Sequence, residues 1–137
     1  MAKIAVVYWS GSGNTEAMAE EIAKACNGDL YQASDFNANL VADYHAIAFG
    51  CPAMGAEELE DIEFEPMFDS VKGNLPCKKI ALFGSYDWGD GEWMREWQEE
   101  CENLGIQMVA DGLICHLMPD KEGLAACRQL GQLLDSE

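Results

Sequence analysis

The sequence predicts an α/β fold, a doubly wound parallel sheet with helices on both faces. Three observations carry this reading. The apolar runs are short, β-branched and continuous, as expected of strands buried on both sides. Segments with apolar residues at helical spacing alternate with them. Polar, Gly-containing loops follow the strands, and alternation of this kind builds a parallel sheet through right-handed crossovers.

Ile4 to Trp9 is the first strand. Ser10-Gly11-Ser12-Gly13-Asn14-Thr15 breaks it, and Met18, Ile22 and Cys26 then mark a helical face that Asn27-Gly28 ends. Leu30 to Ala33 is a weak short strand, and Ala46 to Gly50 is a strong one. A loop through Cys51 to Gly55 leads into an acidic stretch that runs to Glu65. Pro66 suits the first turn of a short helix over Met67, Phe68 and Val71, stopped by Gly73. Lys79 to Gly84 is another buried strand, and Ser85 to Gly91 a loop. Trp93, Trp97, Cys101 and Leu104 share a helical face closed by Gly105. Ile106 to Cys115 is the last strand, and Leu124, Cys127, Gly131 and Leu134 are the last helical face. Neither a repeat nor a linker composition interrupts the 137 residues, so residues 1–137 read as one domain.

Composition narrows the function. The chain carries 25 Asp+Glu against 8 Lys+Arg, a formal charge of −17. Nucleic acid is excluded as a partner, because duplex binding relies on Lys and Arg neutralising phosphates. Anionic membrane surfaces are excluded for the same reason. Apolar residues make up 49 %, too many for a disordered acidic chain. No apolar run approaches the roughly 20 residues that span a bilayer. The residues from Met1 to Trp9 read as a strand and not as a cleavable leader, so a cytoplasmic location is expected. Nothing in the pattern signals oligomerisation, and a monomer is expected.

None of the six cysteines stands in a CxxC pair, which removes support for zinc or iron–sulfur ligation. They read as plain thiols in apolar segments. His45 and His116 lie at strand ends and read as partly buried side chains. Cys115 and His116 are neighbours in sequence, which does not make them a catalytic pair.

The first loop has the placement of a phosphate site without the usual signatures. It has no Lys for a GxxxxGK[ST] loop. A dinucleotide fingerprint needs a third Gly where this chain has Glu16. A phosphoacceptor receiver would want acidic residues after the first strand, where Trp9-Ser10 stands. The loop offers hydroxyls on Ser10, Ser12 and Thr15, the Asn14 amide, and N–H groups that Gly11 and Gly13 let a ligand approach. At a helix N-terminus these suit one phosphate monoester held by neutral donors. They equally suit an ordinary N-cap, and the loop by itself leaves the two readings open.

Two further loops follow parallel strands and belong at the same edge: Pro52-Ala53-Met54-Gly55-Ala56-Glu57 and Ser85-Tyr86-Asp87-Trp88-Gly89-Asp90-Gly91. Met54 and Trp88 have no helical or strand period to bury them. A flat aromatic ligand between a polarisable thioether and an indole face would cover both.

Three motifs in this order produce a resemblance: Ser10-Gly-Ser-Gly-Asn-Thr-Glu16, Gly50-Cys-Pro-Ala-Met-Gly-Ala-Glu57, and Leu82-Phe-Gly-Ser-Tyr-Asp-Trp-Gly-Asp-Gly-Glu-Trp-Met94. The chain resembles the flavodoxins over nearly its whole length, and within them the short-chain class of anaerobic bacteria. Long-chain members interrupt their last strand with an insertion, for which Ile106 to Cys115 leaves no room. The resemblance implies a five-stranded parallel sheet of order 2-1-3-4-5 and non-covalently bound FMN. It implies that Ser10 to Thr15 hold the phosphate, that Trp88 stacks on the outer face of the isoalloxazine, and that Met54 covers part of the inner face. Glu57 would accept from the flavin N3–H. Backbone groups of Ser85 to Gly91 would meet the pyrimidine edge. The Gly55–Ala56 peptide would rotate on reduction so that the Gly55 carbonyl accepts from N5–H. Two positions depart from the family: Asp87 replaces a frequent Gly, which a left-handed Asp would tolerate, and Ala56 makes the peptide rotation harder.

The implied role is a low-potential one-electron carrier, moving between the neutral semiquinone and the anionic hydroquinone in place of ferredoxin. One carboxylate at ~12 Å and an effective dielectric of ~40 costs roughly 0.7 kcal/mol, or roughly 30 mV for one electron before screening. Glu57, Glu58, Glu60, Asp61, Glu63, Asp87, Asp90 and Glu92 are candidates for such an effect. The expected partners are redox proteins with basic docking patches, such as flavodoxin or ferredoxin reductases and enzymes of the pyruvate-ferredoxin oxidoreductase type. An FMN-dependent NAD(P)H oxidoreductase and a flavin-free anion-binding module are the alternatives. Trp88 and the net charge of −17 oppose the first.

Overall fold

A computed structural model describes residues 3–136. Of the N-terminal reading, Met1 and Ala2 lie outside the described residues. The chain alternates β1 (Ile4–Tyr8), α1 (Asn14–Cys26), β2 (Asp29–Gln32), α2 (Ala38–Val41), β3 (Ala46–Gly50), α3 (Phe64–Val71), β4 (Lys79–Tyr86), α4 (Glu92–Asn103), β5 (Gln107–Met108), β6 (Leu113–His116) and α5 (Lys121–Asp135). All strand pairs are parallel, in the order β2-β1-β3-β4-β5, with β6 also on β4. This is the doubly wound sheet that the apolar pattern predicts, in the order 2-1-3-4-5 that the resemblance implies.

Period two along β1 divides the core. Ala5 and Val7 face the layer of α3 and α4, with Phe49, Phe64, Phe68, Trp93 and Trp97. Ile4, Val6 and Tyr8 face α1 and α5, with Met18, Ile22, Cys127 and Leu134. Because β1, β3 and β4 bury both faces, they read as continuous apolar runs, whereas the flanking β2, β5 and β6 are largely exposed. The central strands therefore turn only their ends to solvent, and function collects at the carboxyl end.

Several expectations are corrected. The last strand is not continuous from Ile106 to Cys115. It breaks over residues 109–112, and its halves pair with Lys79–Ile80 and with Phe83–Tyr86 of β4. Gln98 of α4 satisfies the break, taking the Gly112 N–H at 2.8 Å and donating to Asp111 at 3.0 Å. Met94 fills the space that a side chain at position 112 would need. Strand β4 runs on through Ser85 and Tyr86, which the sequence reading put in a loop. A 3₁₀ turn (Ala33–Asp35) and α2 occupy the stretch between β2 and β3, where no helix was expected. Leu104 is exposed and does not share the buried face of Trp93, Trp97 and Cys101, because the α4 helix ends at Asn103. His45 and His116 are exposed, not partly buried. All six cysteines are free thiols, five of them buried.

Candidate cofactor site

The three loops meet at the carboxyl edge around a cleft of about 320 Å³. Gly11, Ser12 and Asn14 line it after β1, Pro52, Ala53 and Met54 after β3, and Ser85, Tyr86 and Asp87 at the end of β4. Trp9 and Leu117 complete the walls, and the sequence reading missed both. Trp9 lies just past the end of β1 and is not its last residue. Its ring lies against Gly11, and its indole donates to Glu63 at 3.0 Å. Leu117 follows the second half of the broken strand with φ 63, which no apolar pattern announces. Larger grooves of about 520 and 510 Å³ flank α4, one between it and residues 111–114, the other between it and the acidic segment from Glu57 to Glu65. They touch the cofactor loops only at Gly91 and at Glu57 and Glu58, whereas the cleft takes residues from all three loops at the strand ends, where doubly wound sheets bind ligands.

Ser10 organises the first loop. Its Oγ accepts from the Gly13 N–H at 3.0 Å and the Glu16 N–H at 3.2 Å, and Ser12 Oγ accepts from Asn14 at 3.3 Å. Gly13 takes φ 95, a conformation open to glycine. Among the described residues, the N–H groups of Gly11, Ser12 and Thr15 have no protein acceptor. They stand at the positive end of the 13-residue α1. Thr15 is fully buried, with Oγ1 2.6 Å from Ser85 Oγ and accepting from the Ser85 N–H at 3.3 Å. Each hydroxyl has one proton and the pair shares one bond, so one O–H remains to donate. At the rear, burial and then the Glu16 carboxylate push the Tyr8 phenol up to about 12, so it stays a neutral donor to Glu16 at 2.8 Å. No Lys or Arg lines the cleft. The donor set fits a phosphate monoester held by neutral groups.

The second loop is a hairpin tip. Met54 and Glu58 exchange backbone bonds of 2.8 and 2.9 Å around Gly55-Ala56-Glu57. Gly55 (φ 48) and Glu57 (φ 55) are both left-handed, at a cost of roughly 1 kcal/mol for the latter. The Glu57 carboxylate turns inward, and Oε1 accepts from the Gly91 N–H at 3.1 Å and the Glu92 N–H at 3.0 Å. It thereby caps α4, whose N-cap residue Gly91 has no side chain to do so.

Glu60 does the same for α3. It is buried, and its oxygens accept from Ile62 at 2.9 Å, Glu63 at 2.8 Å and Phe64 at 2.7 Å. Burial alone would raise its carboxyl, but the three N–H bonds outweigh it and hold the group below its usual range. Glu57 and Glu60 are therefore helix-capping acids before they are members of an acidic rim. Only Glu60, four residues ahead of Phe64, has a local signal for this; Glu57 reaches α4 from 34 residues away.

In the third loop Met54's counterpart Trp88 is 56 % exposed, while Met54 is 36 % exposed. Asp87 is not left-handed, contrary to expectation. Gly89 (φ 88) and Gly91 (φ 95) supply those conformations. A Cβ at Gly89 would stand 2.6 Å from the Glu57 carboxyl carbon. Asp90 pairs with Arg95 at 3.1 Å. Among the described residues, no group of three or more His, Cys, Asp or Glu is placed to hold a metal ion.

Residues 6–131 match the family described as Flavodoxin. The chain belongs to the flavodoxin family. It is 44 % identical over 134 residues to the flavodoxin of Megasphaera elsdenii, covering 94 % of this chain and 96 % of that one. It is 42 % identical over 132 residues to the flavodoxin of Clostridium beijerinckii, covering 93 % and 95 %. The solution structure of two-electron reduced Megasphaera elsdenii flavodoxin superposes with a TM-score of 0.86 at 42 % identity, covering 96 % of this chain and 98 % of that one. The chain is a short-chain flavodoxin, and its last strand is interrupted only by residues 109–112. Flavodoxins bind FMN and carry electrons between redox partners. Among the described residues of this flavodoxin, no helix is long and apolar enough to cross a membrane.

Proposed function

We propose that this flavodoxin is a low-potential one-electron carrier which holds FMN in the cleft, moves between the neutral semiquinone and the anionic hydroquinone, and replaces ferredoxin between redox enzymes. The observation that carries the proposal is the meeting of three loops at one cleft, with neutral phosphate donors at one end, Met54 and Trp88 exposed at the rim, and no cation among the walls. Bound FMN supplies two one-electron steps, and the protein sets how far apart they lie.

The first loop would hold the phosphate through the N–H groups of Gly11, Ser12 and Thr15, the Asn14 amide and the spare hydroxyl of the Thr15–Ser85 pair. Ser10 and Gly13 would shape that loop from behind. Pro52 and Ala53 would wall the ring system, with Met54 on its inner face and Trp88 on its outer face. Backbone groups from Ser85 and Tyr86 through Asp87, Gly89, Asp90 and Gly91 would meet the pyrimidine edge. Glu57 Oε1 is engaged by α4, which leaves Oε2 to accept from N3–H. The bonds closing the hairpin join Met54 and Glu58, so the Gly55–Ala56 peptide can rotate toward N5 without breaking them.

The acidic rim would penalise the second electron. The capping bonds of Glu57 and Glu60 and the Asp90–Arg95 pair weaken the contribution of those three acids. Glu58, Asp61, Asp87 and Glu92 are exposed and lack such partners among the described residues, and each would contribute roughly 30 mV at ~12 Å before screening. The same acids would steer docking onto basic patches of reductases and ferredoxin-dependent oxidoreductases. Spectroelectrochemical titration tests the proposal. Two separated one-electron steps are expected, and a single concerted two-electron step would overturn it. Rapid steady-state NADH oxidation by the pure protein would favour the oxidoreductase alternative instead.

A further inference from the structure

His116 stands beside the cofactor loops and has no part in the roles above. It is exposed at the carboxyl end of β6, in register with Tyr86. Its Nε2 lies 3.2 Å from the Asp87 carbonyl oxygen, and its ring packs 5.1 Å from the Tyr86 ring at a 47° tilt. The next residue, Leu117, donates its N–H to the Tyr86 carbonyl at 2.8 Å and lines the cleft together with Tyr86 and Asp87. The imidazole is thus fixed to the loop expected to meet the flavin's pyrimidine edge.

A carbonyl oxygen can only accept, so Nε2 must carry the hydrogen of that bond. Nδ1 is then the atom left to take a further proton. Imidazole is the side chain whose charge ordinarily changes between about pH 5 and 8. The charged and titratable groups around it are few. From β4 and its loop come the Tyr86 phenol and the Asp87 carboxylate, with Asp90 already paired to Arg95. On β6 the Cys115 thiol turns into the core of α1 and α5. Asp120 and Lys121 stand at the start of α5. No Lys or Arg lines the cleft, and Arg95 on Asp90 is a fixed charge, so His116, bonded to Asp87 and packed on Tyr86 of the cleft wall, is the imidazole there able to become positive.

Resting on the FMN reading above, we propose that His116 is a proton-linked positioning residue: it holds the Asp87 carbonyl through Nε2–H and takes a proton from solvent at Nδ1 when the cofactor gains its second electron. The electron adds one negative charge on the cofactor side, and the proton adds one positive charge on the imidazole. Linkage makes the effect reciprocal. If reduction favours protonation of His116, protonation must raise the second potential by the same free energy.

Two measurements on one protein test this. NMR follows both imidazoles through pH titrations of the apoprotein, the oxidised FMN protein and the reduced FMN protein. His45 is the internal control, because it sits at the amino end of the sheet, bonded to the backbone of Lys3 and Lys79. In the apoprotein His116 is expected as the Nε2–H tautomer. On reduction its midpoint should rise by roughly half a pH unit while that of His45 stays put, which for one electron is about 30 mV. Potentiometry from pH 5.5 to 8.5 should show the second couple of the wild type rising by that amount at low pH relative to His116→Gln. Glutamine keeps a donor for the Asp87 carbonyl but cannot take the proton, so its FMN affinity should stay near wild type. His116→Phe removes both functions and should also weaken FMN binding. Superimposable pH profiles for wild type and H116Q, an unmoved His116 midpoint, or an Nδ1–H tautomer would each overturn the inference. Failure of the wild type to take up FMN would overturn the cofactor reading itself, which is a different result.

Discussion

Glu57 and Gly91 lie 34 residues apart, and the Glu57 carboxylate accepts the Gly91 N–H at 3.1 Å and the neighbouring Glu92 N–H at 3.0 Å. One side chain thereby joins the second cofactor loop to the third and ends the otherwise uncapped α4. It holds this position with a left-handed backbone, so the bonds offset a local conformational cost.

Removing that carboxylate should therefore damage stability and binding together. Glu57→Ala strands two N–H groups at a helix start while keeping the strained backbone, and a loss of about 2 kcal/mol is expected. Urea unfolding of the apoprotein measures it. Glu57→Gln retains an acceptor and should lose less than half as much. An alanine variant as stable as wild type would show that solvent replaces the contact.

The hydroxyls of Thr15 and Ser85, 2.6 Å apart, join the phosphate loop to β4 in the same way. Thr15→Val and Ser85→Ala should each destabilise, and the double variant should lose less than the sum. A coupling of about 1 kcal/mol is expected for one buried bond. A double-mutant cycle by urea unfolding measures it, and strict additivity would mean the bond contributes nothing. Each single variant frees the proton of the remaining hydroxyl, so the double variant, which removes both donors, should weaken FMN binding most.

These joints explain which parts of the site are legible in sequence. The loops announce themselves because each follows a strand buried on both faces, and the apolar run ends where the sheet does. Met54 and Trp88 are visible as large side chains with no period to bury them, and both prove exposed. The inward turn of Glu57 and Glu60 is hidden, because an acid in an acidic stretch reads as solvated whether or not helix N–H groups wait beneath it. The broken last strand is hidden because Val109 and Leu113 sustain the apolar run on both sides, although Asp111-Gly112 is a recognisable breaker. What holds the break open is Gln98, a long-range partner that no local pattern reveals.

Glu60 makes acid sensitivity predictable. An unfolded glutamate titrates near about 4.3, and the folded group lies lower because three backbone N–H bonds outweigh its burial. The native state therefore binds fewer protons between the two values. Its stabilising contribution is complete above about pH 4.3 and is lost as pH falls through the folded value. Glu60→Gln should be less stable than wild type at pH 7, and the gap should narrow as pH drops below 4. Thermal unfolding of both proteins from pH 7 to 3 checks the sign. A gap that widens on acidification would contradict it.

Trp93 and Trp97 stand one helical turn apart on α4, each only 2 % exposed, and their indole N–H groups are served differently. The Trp93 indole donates to the Cys51 carbonyl at 3.1 Å, whereas the Trp97 indole N–H has no partner among the described residues. Replacing either by Phe removes similar ring volume from the same layer. At Trp93 the change also strands a buried carbonyl, at a further cost of about 1 to 3 kcal/mol. At Trp97 it removes a donor that was never satisfied, which returns a desolvation penalty of similar size. Trp93→Phe should therefore destabilise by at least about 2 kcal/mol more than Trp97→Phe in matched urea titrations. Equal losses would mean that the edge-on rings of Phe64 and Phe68, with centroids 5.4 and 5.5 Å from Trp97, already serve its N–H as well as a carbonyl would.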